Sequence, residues 1–214
     1  MFISKLREWF SGGDTSTAGL ASLRSDPQLA ASAFFDAFSL SSPAGETANV
    51  FAAQLDIPAG AYQGGLITVL GQELSSAALN DWRGLVGTDA VALASTACGD
   101  LFFWSDTHPG VYFLEPQAGG ATRVGPDTGS FFNTFLREPD VTENMLRSVA
   151  FNALKTRLGE LTYGECYIAV PLQIMGGSGR LSTFDRTSLG VYLGLAAQSV
   201  QPGEATGPLQ NRNL

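Results

Sequence analysis

Residues 101–114, LFFWSDTHPGVYFL, decide the fold class. Two aromatic, β-prone runs, Leu101 to Trp104 and Val111 to Leu114, bracket a segment rich in turn-forming residues, Ser105 to Gly110. That arrangement is the signature of a β-hairpin. Working outward, residues 65–70 (GLITVL) and 90–97 read as strands before the hairpin, and residues 121–124 as a short strand after it. Helices flank this block. One starts at Asp26-Pro27, with Asp as N-cap and Pro in the first helical position, and carries Leu29, Ala33, Phe34 and Phe38. ANVFAAQLDIP reads as a short helix stopped near Pro58. Residues 74–86 turn Ala78, Leu79, Trp82 and Val86 inward, and residues 128–137 place Phe131, Phe132 and Phe135 on neighbouring turns.

A longer helix is expected from Pro139 to Gly159, with Asp140 and Glu143 spaced as a capping box. Its inward set is Leu146, Val149, Ala150, Ala153, Leu154 and Leu158. ECYIAV, residues 165–170, is a strand ended by Pro171, and residues 187–200 form a last helix with Leu189, Tyr192, Leu193, Ala196 and Val200 on one face. Strands in the middle with helices on both sides predict an α+β fold, a mostly antiparallel sheet flanked by helices. The chain divides into a short amphipathic helix and a Gly/Ser/Thr-rich linker (1–25), a helical extension (26–63), the α+β domain (64–201) and a flexible polar tail (202–214).

Charge narrows the function. Of 214 residues only 15% are charged and the net charge is −8. Residues 25–122 hold ten acids against Arg83 alone, a net −9, while residues 123–214 balance at eight of each sign. Such a block repels nucleic acid and anionic lipid and attracts basic partners; it also keeps an apolar protein in solution. No apolar run is long enough to span a membrane, and MFISKLREWF is too short and too charged for a secretory signal. Two cysteines, Cys98 and Cys166, make no disulfide framework, so a reducing cytoplasmic setting is expected.

The sequence carries no recognisable catalytic logic. His108 is the single histidine and reads as a turn residue; with no H-E-x-x-H and no C-x-x-C, a metal site is not expected. Cys166 lies in an apolar strand and reads as a buried structural thiol. Gly176-Gly177-Ser178-Gly179 follows a strand but lacks the Lys and Ser/Thr of a phosphate-binding loop. No cofactor is expected.

Four segments resemble one bacterial family. They are CGDLFFW (98–104) with VYFLEPQAGG (111–120), SFFNTFL (130–136), LGELTYGECYIAVPLQIMGG (158–177) and LGVYLGLAAQSV (189–200). The chain is similar, over about residues 64–201, to the C-terminal domain of type VI secretion immunity proteins, a domain often fused to a GAD-like domain. It departs from the pattern at Gln173 and Met175, and the first 60 residues show no GAD-like pattern. The resemblance implies a non-enzymatic protein that neutralises a cognate effector toxin in bacterial competition, a DNase in the best-known members. A basic nuclease would meet the acidic block, so the expected partner-binding residues are Asp81, Asp89, Asp100, Asp106 and Glu115, with Trp82, Phe103, Trp104 and Tyr112 as aromatic anchors. Two rivals stay open: a general binding or scaffold module of the same fold, and an enzyme built on an unrecognised carboxylate pair.

Overall fold

The computed structural model describes residues 27–200, with side chains from Ala31 onward. The expected helix at 2–10, its linker and the tail from 201 lie outside the described residues.

Seven strands form one antiparallel meander in sequence order: β1 (Leu40–Pro43), β2 (Gly60–Tyr62), β3 (Ile67–Val69), β4 (Val91–Thr96), β5 (Leu101–Ser105), β6 (Gly110–Glu115) and β7 (Gly120–Gly125). The hairpin reading holds, with Leu101 opposite Leu114 and Trp104 opposite Val111. The runs LFFW and VYFL are continuously apolar because both faces of the sheet are covered.

On one face Leu93, Phe102, Val111, Phe113 and Val124 pack against three helices, α1 (Pro27–Ala37), α5 (Thr128–Asn133) and α6 (Ser148–Leu158). Phe102 is fully buried there, with ring centroids 4.8 Å from Phe113 and 4.9 Å from Phe131. On the other face Ala92, Leu101, Phe103, Tyr112 and Leu114 meet α3 (Gln72–Ala78), α4 (Arg83–Val86) and the last helix, α7 (Leu189–Ser199). A small helix, α2 (Val50–Gln54), is held by Asn49, whose side chain accepts from the Ala52 N–H and donates to the carbonyls of Leu70 and Leu93.

The strand β8 (Glu165–Ala169) pairs antiparallel with β9 (Phe184–Ser188) in a second, two-stranded sheet. Cys166 and Ile168 join the second core, and Tyr167 between them joins the first. The preceding segment straps the molecule together. The Leu161 N–H donates to the Gly64 carbonyl, the Tyr167 N–H to Ala97, and the Tyr163 hydroxyl to Glu46 at 2.6 Å. A Cβ on Gly65, whose φ is +94°, would lie 2.4 Å from Leu161, so the close approach requires glycine.

Several local expectations need correction. Residues 26–63 are not only helical, since β1 and β2 place this stretch in the main sheet. Residues 74–86 break at Leu79 into α3, a 3₁₀ turn at Asn80–Trp82 and α4, although Ala78, Leu79, Trp82 and Val86 all face inward as expected. The helix expected from Pro139 to Gly159 is two pieces. A π-helical turn, Val141–Met145, ends at Arg147, whose φ of 53° and ψ of 47° are left-handed, and α6 begins afresh. Asp140 makes no side-chain cap. The break re-aims the helix, leaving Val149 73% exposed instead of inward. The segment 187–200 splits between the end of β9 and α7.

Cys166 is fully buried, and burial pushes its thiol well above the ordinary range. The native protein is therefore expected to resist alkylation at Cys166 on the timescale at which the unfolded chain reacts. Rapid labelling of folded protein, read by mass spectrometry, would contradict that packing.

Candidate functional site

A cleft of about 340 Å³ opens where four distant segments meet. The β4–β5 turn supplies Cys98 and Asp100, the end of β6 and the turn after it supply Glu115, Gln117 and Ala118, the break before α6 supplies Arg147, and the 3₁₀ turn Gln173–Met175 supplies Gln173 and Ile174. The Gln173 N–H donates to the Gln117 side-chain oxygen at 2.7 Å and closes one wall. Thr96 orders the β4–β5 turn: its hydroxyl accepts from the N–H groups of Cys98 and Asp100 and donates to Asp100 Oδ2.

Asp100 is only 4% exposed, and Arg147 Nη2 lies 3.2 Å from its Oδ2. Burial raises the Asp100 carboxyl to about 6; Arg147 opposes the rise and the nearby Glu115 carboxylate adds to it. The left-handed backbone at Arg147, a conformation costing on the order of 1–3 kcal/mol for a non-glycine residue, is what aims the guanidinium at this carboxylate. Cys98 also faces the cleft, but burial, then the charge of Asp100, pushes its thiol up to about 11, so it is no thiolate nucleophile. His108 cannot activate it: His108 follows β5 and Cys98 precedes it, so the strand's whole length separates them. Among the described residues no group of three or more His, Cys, Asp or Glu side chains is placed to hold a metal ion.

The structure sorts the nine expected partner-binding residues into four places. Phe103 is fully buried and stacks on Tyr112 at 5.4 Å, Tyr112 is 7% exposed, and Trp82 is 4% exposed. These three are core side chains, a correction to their reading as anchors: Phe103 and Tyr112 lie on strands covered on both faces, and Trp82 packs into the same core from the 3₁₀ turn. At the far end of the β5–β6 hairpin, Trp104 is half-buried against Phe51 and its Nε1–H donates to Asp106 at 2.6 Å. Asp89 organises that tip, accepting from the Ser105 hydroxyl and from the N–H groups of Asp106 and Thr107. Asp100 and Glu115 stand at the opposite end of the same strands, in the cleft. Asp81 is exposed elsewhere, on the 3₁₀ turn beside α7. The acidic block is thus divided among separate surfaces.

The Asp89 carboxyl lies at about 2: burial works to raise it, but the Thr107, Ser105 and Asp106 hydrogen bonds outweigh that and lower it. A depressed folded value means stability that is present above the ordinary carboxylate range and lost as the pH falls towards 2. Asp89→Ala should therefore cost about 1–2 kcal/mol at neutral pH, and the gap from the parent protein should close in acid-titrated denaturation curves as the pH approaches 2.

Charge alone singled out Asp100 and Glu115. Arg147 and Gln117 carried no signal in the sequence, and Gln173 stood out only as a departure from the family pattern, because the residues that complete the cleft are far apart along the chain.

Residues 127–199 match the family "T6SS immunity protein Tdi1, C-terminal". The match contains α5 to α7, including Arg147 and Gln173 of the cleft, and covers the segments SFFNTFL, LGELTYGECYIAVPLQIMGG and LGVYLGLAAQSV except its last residue. CGDLFFW and VYFLEPQAGG lie outside it. The crystal structure of Atu4351 from Agrobacterium tumefaciens shares the fold, with a TM-score of 0.55 at 14% identity over 80% of this chain and 94% of that one. No curated protein matches the chain. Among the described residues no helix is long and apolar enough to cross a membrane.

Proposed function

We propose that this protein is a cytoplasmic immunity protein that binds a cognate type VI secretion effector and blocks it through a protein–protein interface. The observation that carries the reading is the match of residues 127–199 to an immunity-protein family. The effector is proposed to be a basic nuclease, because residues 25–122 carry a net −9 and a phosphate-binding surface is basic. The accessible acids, Asp81, Asp89, Asp106 and Glu115, with Trp104 beside them, supply long-range attraction and a rim, whereas Phe103, Tyr112 and Trp82 support the surface from beneath. Co-expression with its cognate effector should restore growth to cells that the effector alone kills, and the two purified proteins should co-elute. Survival without complex formation, or a complex without protection, would sink the reading. A scaffold module of the same fold would fail both arms.

One observation favours a second reading. Asp100, raised to about 6, shares a cleft with Glu115, and two carboxylates in differing environments can act as acid and base. The Arg147 ion pair argues against it, because a guanidinium beside Asp100 favours the ionised carboxylate and opposes the proton uptake that a general acid needs. Under this reading effector neutralisation would require turnover and would be abolished by Glu115→Gln at saturating protein; under the binding reading, excess variant still protects.

A further inference from the structure

We infer that the cleft formed by Asp100, Glu115, Gln117, Arg147 and Gln173 is a receptor for an arginine side chain of the protein partner. The inference rests on the immunity reading only for the partner's identity; the chemistry of the cleft stands apart from it.

Two observations point to a missing cation. First, two carboxylates share one guanidinium. The Glu115 carboxylate disfavours the charge of Asp100, and among the described residues Arg147 alone offsets it. Second, the ion pair and the Thr96 hydrogen bond both fall on Asp100 Oδ2; among the described residues nothing donates to Oδ1, although the residue is 4% exposed and lines the cleft. Among the described residues the buried side-chain polar atoms left without a partner are Trp82 Nε1 and the Tyr192 hydroxyl, so Oδ1 is reached from the cleft and is open to accept from an occupant. The site is incompletely satisfied as it stands.

Size and charge select the occupant. A cleft of about 340 Å³ is at the small end of ligand sites, roomy enough for one long side chain and too small for a dinucleotide. An anion would meet two carboxylates and a guanidinium already paired. A metal ion lacks the ligands. A guanidinium is planar, weakly hydrated and rich in donors, so it can reach Asp100 Oδ1 and the Glu115 carboxylate together at less desolvation cost than an ammonium. Arg147 enters through a strained backbone and holds Oδ2, which leaves Oδ1 turned to the incoming group.

The test needs no effector. N-acetyl-arginine-methylamide is titrated into the full chain and followed by ¹H–¹⁵N NMR, with the lysine, norleucine and glutamate analogues as comparisons. Saturable shifts in the millimolar range are expected at Cys98, Asp100, Gln117 and Arg147, strongest for arginine, weaker for lysine and absent for norleucine and glutamate. Glu115→Gln, a half-buried position that folding tolerates, should weaken the arginine probe roughly fivefold to tenfold; Asp100→Asn should do the same where it folds. Shifts that do not saturate, equal shifts from norleucine, preference for glutamate, or an unchanged response in Glu115→Gln would overturn the inference. Probe binding with no effector protection would instead reject the immunity reading and leave the receptor intact; protection that is indifferent to Glu115→Gln, with no probe binding, would do the reverse.

Discussion

Phe102→Ala should destabilise the protein by about 3–5 kcal/mol, the largest loss expected from any one truncation in the sheet. Phe102 has no exposed surface, and its ring touches Phe113 on the neighbouring strand and Phe131 and Phe135 on the helical layer. The cost has two parts, the lost transfer of the ring from water and the cavity left among neighbours that strands and helix hold in place. Phe103→Ala removes a ring of the same size from the opposite face, where Tyr112 stacks on one side. Both losses are measured by urea denaturation. A loss below about 1.5 kcal/mol for Phe102→Ala would show that the aromatic layer closes over the gap, and the packing described for that face would be wrong.

Arg147→Met should cost about 2–3 kcal/mol near neutral pH, less than a fully buried pair would because the Arg147 side chain is 41% exposed. The pH dependence identifies the cause. In the parent protein burial already raises Asp100 to about 6 against an ordinary value of 3.8. Removing the guanidinium removes what opposes that rise, so the folded value climbs further. A raised folded value means that folding takes up a proton, and the stability this brings is fully present below the unfolded value and lost as the pH rises through the folded one. The deficit of Arg147→Met should therefore be largest at pH 7 and above and nearly vanish near pH 4. Adding Asp100→Asn should recover most of the loss at neutral pH. A deficit equal at both ends of that range would mean that Arg147 acts through packing alone.

The hairpin was legible in the sequence because aromatic strand residues bracket turn formers, and its register came out as two uninterrupted runs opposite each other. Helix α7 was legible from its period, with Leu189, Tyr192, Leu193 and Ala196 all buried. Strands β1, β2 and β9 were not. LSSP, GAY and FDRTS are short and show no alternation, and each is a strand only because a neighbour offers it a ladder. The break at Arg147 was invisible for a different reason. No glycine or proline marks it, and a left-handed arginine is held by a carboxylate 47 positions earlier. Charge did direct attention to Asp100 and Glu115, but it could not separate them from Asp89, which the structure commits to holding a turn. Nor could composition tell that Phe103 and Tyr112 lie beneath a helical layer.

The strand order of the sheet has a consequence for how the molecule comes into being on the ribosome. Each strand after β1 pairs with the one synthesised just before it, so the sheet can be laid down in step with translation, without waiting for distant chain. The cleft has the opposite character. Two of its walls, at 98–100 and 115–118, emerge with the sheet, the guanidinium arrives with residue 147, and the last wall only with Gln173 and Ile174. A nascent chain halted after β7 would carry a complete meander and no cleft. Completion of the cleft thus waits on residues 147 and 173–174, well after the sheet has been laid down.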